Sequence, residues 1–251
     1  MTENLIERHA ADGVLTLVLN RPGRRNAFDR ALTDALSDAL DELDDDPQHR
    51  VGVLAANGPV FSAGTDLHEP ASPATPRGGE YGVIRRSRRK PLIAAVEGPA
   101  LGGGFEIVLA CDLVVADTRV GFGLPEVARG VVASCGGLFR TPDRLAPNLA
   151  AELVLTGDAI SAERAAAVGL VNLLCEPGGA RAAAYALAAR IIKNSPNAVT
   201  ASLRALAEAR WPAEGAGWPA TRAAVAAIEH HPERAEGIAA FFERRPPSWA
   251  V

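Results

Sequence analysis

The amino-acid sequence predicts an α/β fold: a body of strands and helices over residues 1–195, followed by a helical region over residues 196–251. Three observations carry that expectation. Short apolar runs alternate with a strongly amphipathic segment in the N-terminal half, the rhythm of a parallel sheet with right-handed crossovers. Turn signals rich in Gly and Pro separate those runs. Beyond Gly179 the pattern is helical throughout, broken at Pro196, Pro212 and Pro232.

Gly13–Asn20 reads as a strand, closed by the turn Arg21-Pro22-Gly23. From Phe28 to Leu43 the apolar positions Leu32, Ala35, Leu36, Ala39, Leu40 and Leu43 make a helical stripe. The run Asp44-Asp45-Asp46 opposes the dipole at its end, and Pro47 stops it. Arg50–Ala56 is a strand ahead of the turn Asn57-Gly58-Pro59. Glu69–Gly82, with Pro70, Pro73, Pro76 and Gly78-Gly79, has little periodicity and reads as a mobile loop. A short basic helix is expected at Ile84–Lys90, ended by Pro91. Strands follow at Pro91–Glu97, Asp112–Ala116 and Val120–Gly123. Ser161 is the N-cap of a helix Ala162–Val168 that Gly169 stops, and Leu170–Cys175 is the last strand.

Composition narrows the function classes. A chain of 251 residues with 48% hydrophobic and 22% charged residues can bury a substantial core and is ordinary for a soluble globular protein. A net charge of −4 gives no electrostatic footprint for nucleic acid. The apolar run Leu92–Ala116 resembles a membrane span, but Glu97, Pro99, Glu106, Asp112 and several glycines interrupt it, so no membrane segment is expected. The N-terminus carries Glu3, Glu7, Arg8 and Asp12 and has no apolar stretch, so no signal peptide is expected. Cys111, Cys135 and Cys175, odd in number and widely spaced, predict reduced thiols, no metal site and a cytoplasmic setting. His49, His230 and His231 sit in polar sequence and are expected at the surface.

The chemistry centres on two glutamates in apolar, glycine-bearing sequence: Glu106 after Gly102-Gly103-Gly104-Phe105, and Glu126 after Gly121-Phe122-Gly123-Leu124-Pro125. A carboxylate in such a setting costs free energy unless it is paired or used. The glycines before Glu106 open a helix, so unpaired N–H groups and the positive end of its dipole face one small volume. Anion-stabilising amides beside two burial-tuned carboxyls suit chemistry at the α and β carbons of a thioester. A glycosidase-like use of the pair would want aromatic sugar platforms, and only 5% of residues are aromatic.

The chain resembles the crotonase (enoyl-CoA hydratase/isomerase) superfamily over nearly its whole length. The resemblance rests on Phe61-Ser62-Ala63-Gly64-Thr65-Asp66-Leu67, on Lys90-Pro91 through Ala100-Leu101-Gly102-Gly103-Gly104-Phe105-Glu106, and on Phe122-Gly123-Leu124-Pro125-Glu126. Leu155-Thr156-Gly157-Asp158, Ser161-Ala162, Gly169-Leu170-Val171 and the tail Phe241-Phe242-Glu243-Arg244-Arg245-Pro246 extend it. It implies a ββα spiral core followed by helices that build a homotrimer, often stacked to a homohexamer. It implies an oxyanion hole made by the backbone N–H groups of Thr65 and Gly103, with Glu106 helping to activate water and Glu126 delivering a proton to the α carbon.

The substrate implied is an acyl-CoA thioester, with coenzyme A entering as part of the substrate and no permanently bound cofactor. Ala63, Asp66, Leu67 and His68 would face the CoA, and Arg24 and Arg25 would border its adenine end. Asp66 and Asp112 are also expected to form turns or caps. Ser134 replaces a glycine common after the second glutamate in this family, and His68 stands where a lysine often contacts CoA phosphates. Cys135 has no candidate base beside it in sequence and reads as a filler. Phe241, Phe242 and Trp249 are large apolar residues that would want a partner surface. The expected reaction is hydration of a 2-trans-enoyl-CoA; the alternatives are an isomerase of the same superfamily and a non-catalytic acyl-CoA-binding member.

Overall fold

The computed structural model describes residues 4–69 and 71–249; Glu3 and Pro70 lie outside them. An antiparallel hairpin of β1 (Ile6–Ala11) and β2 (Val14–Leu19) begins the main sheet. The sequence reading missed β1, whose residues after Ile6 are half-buried or exposed. Its signal was Asp12-Gly13, both at positive φ, which makes the two-residue turn.

α1 (Arg30–Asp45) starts at Asp29, whose carboxylate accepts the Leu32 N–H at 2.8 Å. Leu32, Leu36, Leu40 and Leu43 are fully buried, each contributing roughly 1.5–3 kcal/mol. β3 (Val51–Ala56) follows, buried along its whole length and parallel to β2. The segment expected to be a mobile loop holds a small hairpin, β4 (Ala74–Thr75) with β5 (Gly79–Glu80), and leads into the fully buried Tyr81.

The basic helix expected at Ile84–Lys90 does not form; the segment is turn and irregular backbone. Tertiary pairing overrides its propensity. Arg86 donates to Asp41 and the Ser37 carbonyl, Arg89 to the Asp44 carbonyl and Asp45, and Lys90 to the carbonyls of Leu43 and Asp46. These cations neutralise the acidic C-terminal end of α1 and satisfy carbonyls that a helix leaves open.

The body continues through β6 (Leu92–Val96), β7 (Ala100–Leu101), α2 (Gly103–Ala110), β8 (Leu113–Asp117) and β9 (Gly121–Gly123). A 3₁₀ turn at Pro125–Arg129 precedes α3 (Gly137–Arg144) and α4 (Pro147–Thr156), two helices the sequence reading did not assign. Then come β10 (Ile160–Ser161), α5 (Ala162–Ala167), β11 (Leu173–Cys175), α6 (Ala180–Ile192), α7 (Pro196–Glu229) and α8 (Pro232–Glu243). Ser161 caps α5 as expected, accepting from the Arg164 N–H. α7 runs through Pro212, so the expected break there is absent.

The main sheet has the order β1-β2-β3-β6-β8-β11, parallel from β2 onward, and a smaller sheet has the order β10-β9-β7. Alternate residues of β2 face opposite layers. Leu15, Leu17 and Leu19 join the core with α1 and α2, while Val14 and Val18 pack with Ala180, Ala184 and Ala188 of α6. Both faces are covered, as a parallel sheet requires. No helix of the described residues is long and apolar enough to cross a membrane.

One expectation about exposure changes. His49 is buried, with Nε2 3.5 Å from Glu42 Oε1, because the turn after α1 folds it back on the helix. Phe241 and Phe242 remain exposed, with Arg129 stacked over Phe241 and Phe242 5.8 Å from His68 of its own chain.

α2 is pinned at its C-terminal end. Arg88 donates to the Ala110 carbonyl and to Asp112, Arg144 donates to the Cys111 carbonyl, and the Asp112 carboxylate accepts the Leu92 N–H. Asp112→Ala would strand the Leu92 N–H and leave the buried Arg88 guanidinium with the Ala110 carbonyl but no counter-charge there. It should cost about 2–4 kcal/mol in chemical denaturation. A loss below about 0.5 kcal/mol, the scale of an ordinary surface change, would show that the pin carries no stability.

Candidate active site

The site is built where the segment 62–65 meets the first turn of α2. Phe28 donates its N–H to the Gly64 carbonyl and Asp66 returns one to Phe28, so a short parallel bridge holds Thr65 in place. Gly64 sits at φ +88°, and a Cβ on it would stand 2.6 Å from the Gly103 nitrogen. A Cβ on Gly104 would stand 2.2 Å from the Ser62 carbonyl oxygen. Glycine is therefore required for this backbone-to-backbone contact. The contact brings the segment that carries Thr65 against the start of α2 at Gly103. Neither the Thr65 nor the Gly103 N–H donates to an acceptor among the described residues. Gly103 is the first residue of α2, so its N–H carries the positive end of the helix dipole.

Glu106 follows on the same helix and is 2% exposed. Its Oε1 accepts the Cys135 N–H at 2.7 Å and the Gly137 N–H at 2.8 Å, both from the loop that leads into α3. Burial pushes its pKa well up, and those two N–H groups pull partly against the rise. Glu126 sits on the 3₁₀ turn with Oε1 packed over Gly102, where a Cβ would be 3.1 Å away. Its Oε2 is buried and has no hydrogen-bond partner among the described residues. Burial raises its pKa first, and the neighbouring Glu106 charge raises it further. The two carboxyls therefore titrate as a pair, and Glu126, which has no side-chain donor, holds its proton to higher pH.

The residues expected to face CoA gather on one edge. Ala63 donates its N–H to the Arg25 carbonyl, which sets the turn bearing Arg24 and Arg25 against residues 63–66. Arg24, Arg25, Ala63, Leu67 and His68 are exposed there. Asp66 is committed inward. Burial would raise its pKa, but Arg21 at 2.8 Å and then His68 hold it down to about 2. It fixes the segment rather than offering itself to a ligand. Among the described residues, no group of three or more His, Cys, Asp or Glu is arranged to hold a metal ion.

Sequence reasoning missed the donors to Glu106, because they are backbone N–H groups and any residue supplies them. Cys135 was read as a filler; its thiol is buried and its pKa raised, while its N–H orients the carboxylate. Tyr81 was missed too: its hydroxyl reaches Thr65 Oγ1 at 2.7 Å from a segment with no readable period. A separate cavity of about 660 Å³ lies between residues 83–89, α3 and α7, and none of Thr65, Gly103, Glu106 or Glu126 lines it.

Comparisons with known proteins place the chain among acyl-CoA hydratases and isomerases. The profile described as enoyl-CoA hydratase/isomerase matches residues 9–251. The chain is 36% identical to 2,3-dehydroadipyl-CoA hydratase of Escherichia coli strain K12, over 99% of each chain. It is also 36% identical to mevalonyl-coenzyme A hydratase of Aspergillus fumigatus, over 94% of this chain and 91% of the other. Among solved structures, carnitinyl-CoA hydratase from Mycobacterium avium superposes with a TM-score of 0.92 at 37% identity, covering 99% of both chains.

The raised carboxyl pKa values make stability fall with pH. The folded protein keeps these protons above the ordinary carboxyl value of 4.5, where the unfolded chain has lost them. The stabilising protonation is thus complete at low pH and lost as pH rises through the raised values. Glu126→Gln removes one such group and the repulsion on the other. Its melting temperature should gain on that of the wild type between about pH 5 and about pH 9. A difference independent of pH in thermal scans would mean that the pair is not raised.

Proposed function

The chain belongs to the enoyl-CoA hydratase/isomerase family and is a hydratase-type member of it, and on that premise we propose that it adds water in syn fashion to a 2-trans-enoyl-CoA, giving a 3-hydroxyacyl-CoA. The observation that carries this reading is the pairing of Glu106, oriented by two N–H groups, with Glu126, whose buried Oε2 has no hydrogen-bond partner among the described residues. Two carboxyls of unequal proton affinity beside free helix N–H groups meet the needs of adding water across a conjugated thioester.

The thioester oxygen would accept from the Thr65 and Gly103 N–H groups, which face it as negative charge develops. Glu106, ionised more readily because Cys135 and Gly137 donate to it, takes a proton from water as the water oxygen bonds to the β carbon. The electron pair of the double bond moves onto the thioester and returns to the α carbon, which takes the proton of Glu126. The sum is one water added. The reverse sequence is dehydration, and solved relatives bear the names carnitinyl-CoA hydratase and carnitinyl-CoA dehydratase. The CoA portion would lie along Arg24, Arg25, Ala63, Leu67 and His68, with Phe242 of α8 bordering it through His68. Residues 196–251 would assemble a homotrimer or homohexamer, since Leu206, Phe241, Phe242 and Trp249 leave apolar surface open.

Glu106→Gln and Glu126→Gln should each lower kcat for crotonyl-CoA hydration by about 10²–10⁴, the range for one lost acid–base group. Loss of the conjugated thioester absorbance follows the reaction. Near-wild-type turnover in either variant would remove the two-carboxyl mechanism. An enzyme that instead creates that absorbance from a 3-enoyl-CoA, with no hydration, would be an isomerase.

A further inference from the structure

Four side chains with exchangeable protons meet beside Gly103, and the mechanism above uses none of them. Tyr81 Oη lies 2.7 Å from Thr65 Oγ1 and 3.3 Å from Ser72 Oγ, and Thr65 Oγ1 lies 2.9 Å from Ser72 Oγ. The Cys135 thiol, 3.7 Å from Ser134 Oγ, lies near Ser72 and Tyr81 on the loop that holds Glu106. Burial raises the pKa of both Tyr81 and Cys135, so the cluster stays protonated.

Tyr81 is 1% exposed and adopts φ +54°, a left-handed conformation that a bulky side chain takes only under constraint from its surroundings. Its tip occupies space that exists because residue 103 has no side chain: a Cβ there would stand 2.2 Å from Oη. A phenylalanine would fill nearly the same volume and need no partner. The hydroxyl is held instead in a ring of three, where each oxygen can donate to the next and turn outward when a polar group arrives.

The placement of this ring fixes what it borders. On one side are Thr65 and Gly103, whose N–H groups are proposed to hold the thioester oxygen; on the other is the loop that orients Glu106. The ring therefore flanks the first carbons of the acyl group. We propose that Thr65, Ser72, Tyr81 and Cys135 form a specificity-determining polar wall that selects an enoyl-CoA bearing a hydroxyl or carbonyl group next to its double bond over a plain hydrocarbon chain. This rests on the hydratase reading and names its substrate class. A hydrocarbon chain offers these groups nothing, whereas a site that hydrogen-bonds a substrate group discriminates against the analogue lacking it.

The test compares kcat/KM for 4-hydroxy-2-butenoyl-CoA and for its near-isostere 2-pentenoyl-CoA in the intact protein, Tyr81→Phe and Ser72→Ala. The wild type should favour the hydroxylated thioester by at least about 10-fold, and Tyr81→Phe should erase most of that preference. Should Tyr81→Phe fold poorly, Ser72→Ala, at a half-buried position, is expected to narrow the same ratio. A wall that merely anchors the loop would lower stability and leave the ratio unmoved in both variants, which overturns the proposal. Equal use of both substrates by the wild type overturns it as well and leaves the hydratase reading standing. Turnover of neither substrate overturns both.

Discussion

The close contact between residues 62–65 and the first turn of α2 is the constraint on which the site depends. Ordinary side chains at 64, 103 or 104 would drive Cβ atoms to within 2.6 Å of backbone or of Tyr81. Because they are absent, two chain segments far apart in sequence meet backbone to backbone. The same contact places Glu106 one turn into α2 and Tyr81 over Gly103. The parallel sheet beneath supplies rigidity: β3 and β6 are buried on both faces, and Arg88, Arg144 and Asp112 fasten the far end of α2. Precise placement of donors toward a developing charge depends on such a supporting frame.

Electrostatic cost is concentrated where the chemistry is proposed. Away from it, Arg86 sits between Asp41 and Asp44, and Arg140 meets Glu214. Glu126 lies beside the Glu106 carboxyl with Arg129 as its nearby cation, and Glu106 is held by two backbone N–H groups with Arg140 nearby. Burial outweighs these cations, so the pair keeps its protons to higher pH than usual. This is the pattern expected when burial tunes groups for proton transfer rather than for stability. The Asp44–Arg86 and Asp45–Arg77 pairs, by contrast, hold the segment 77–90 against α1 and bring Tyr81 to the site.

What was legible in the sequence is what local pattern encodes. The stripe of α1, the glycines opening α2, Glu106 and Glu126 could be read because period and composition announce them. β1 escaped because it follows a charged N-terminus and carries polar residues at the sheet edge. The basic segment 84–90 looked helical because its partners on α1 are more than forty positions away in sequence. The donors to Glu106 left no trace, since Cys135 and Gly137 act through backbone atoms. Tyr81 was hidden by prolines and glycines that read as a mobile loop and in fact build a small hairpin.

The central claim is that Glu106 and Glu126 act as one unit on one water. A double-mutant cycle on crotonyl-CoA hydration, with Glu106→Gln, Glu126→Gln and their combination, tests it most directly. Residues that share a step lose that step together, so the double variant should fall well short of the product of the single losses, by about 10-fold or more. Losses that multiply fully would mean that the two carboxyls serve separate steps, and the paired mechanism would be wrong.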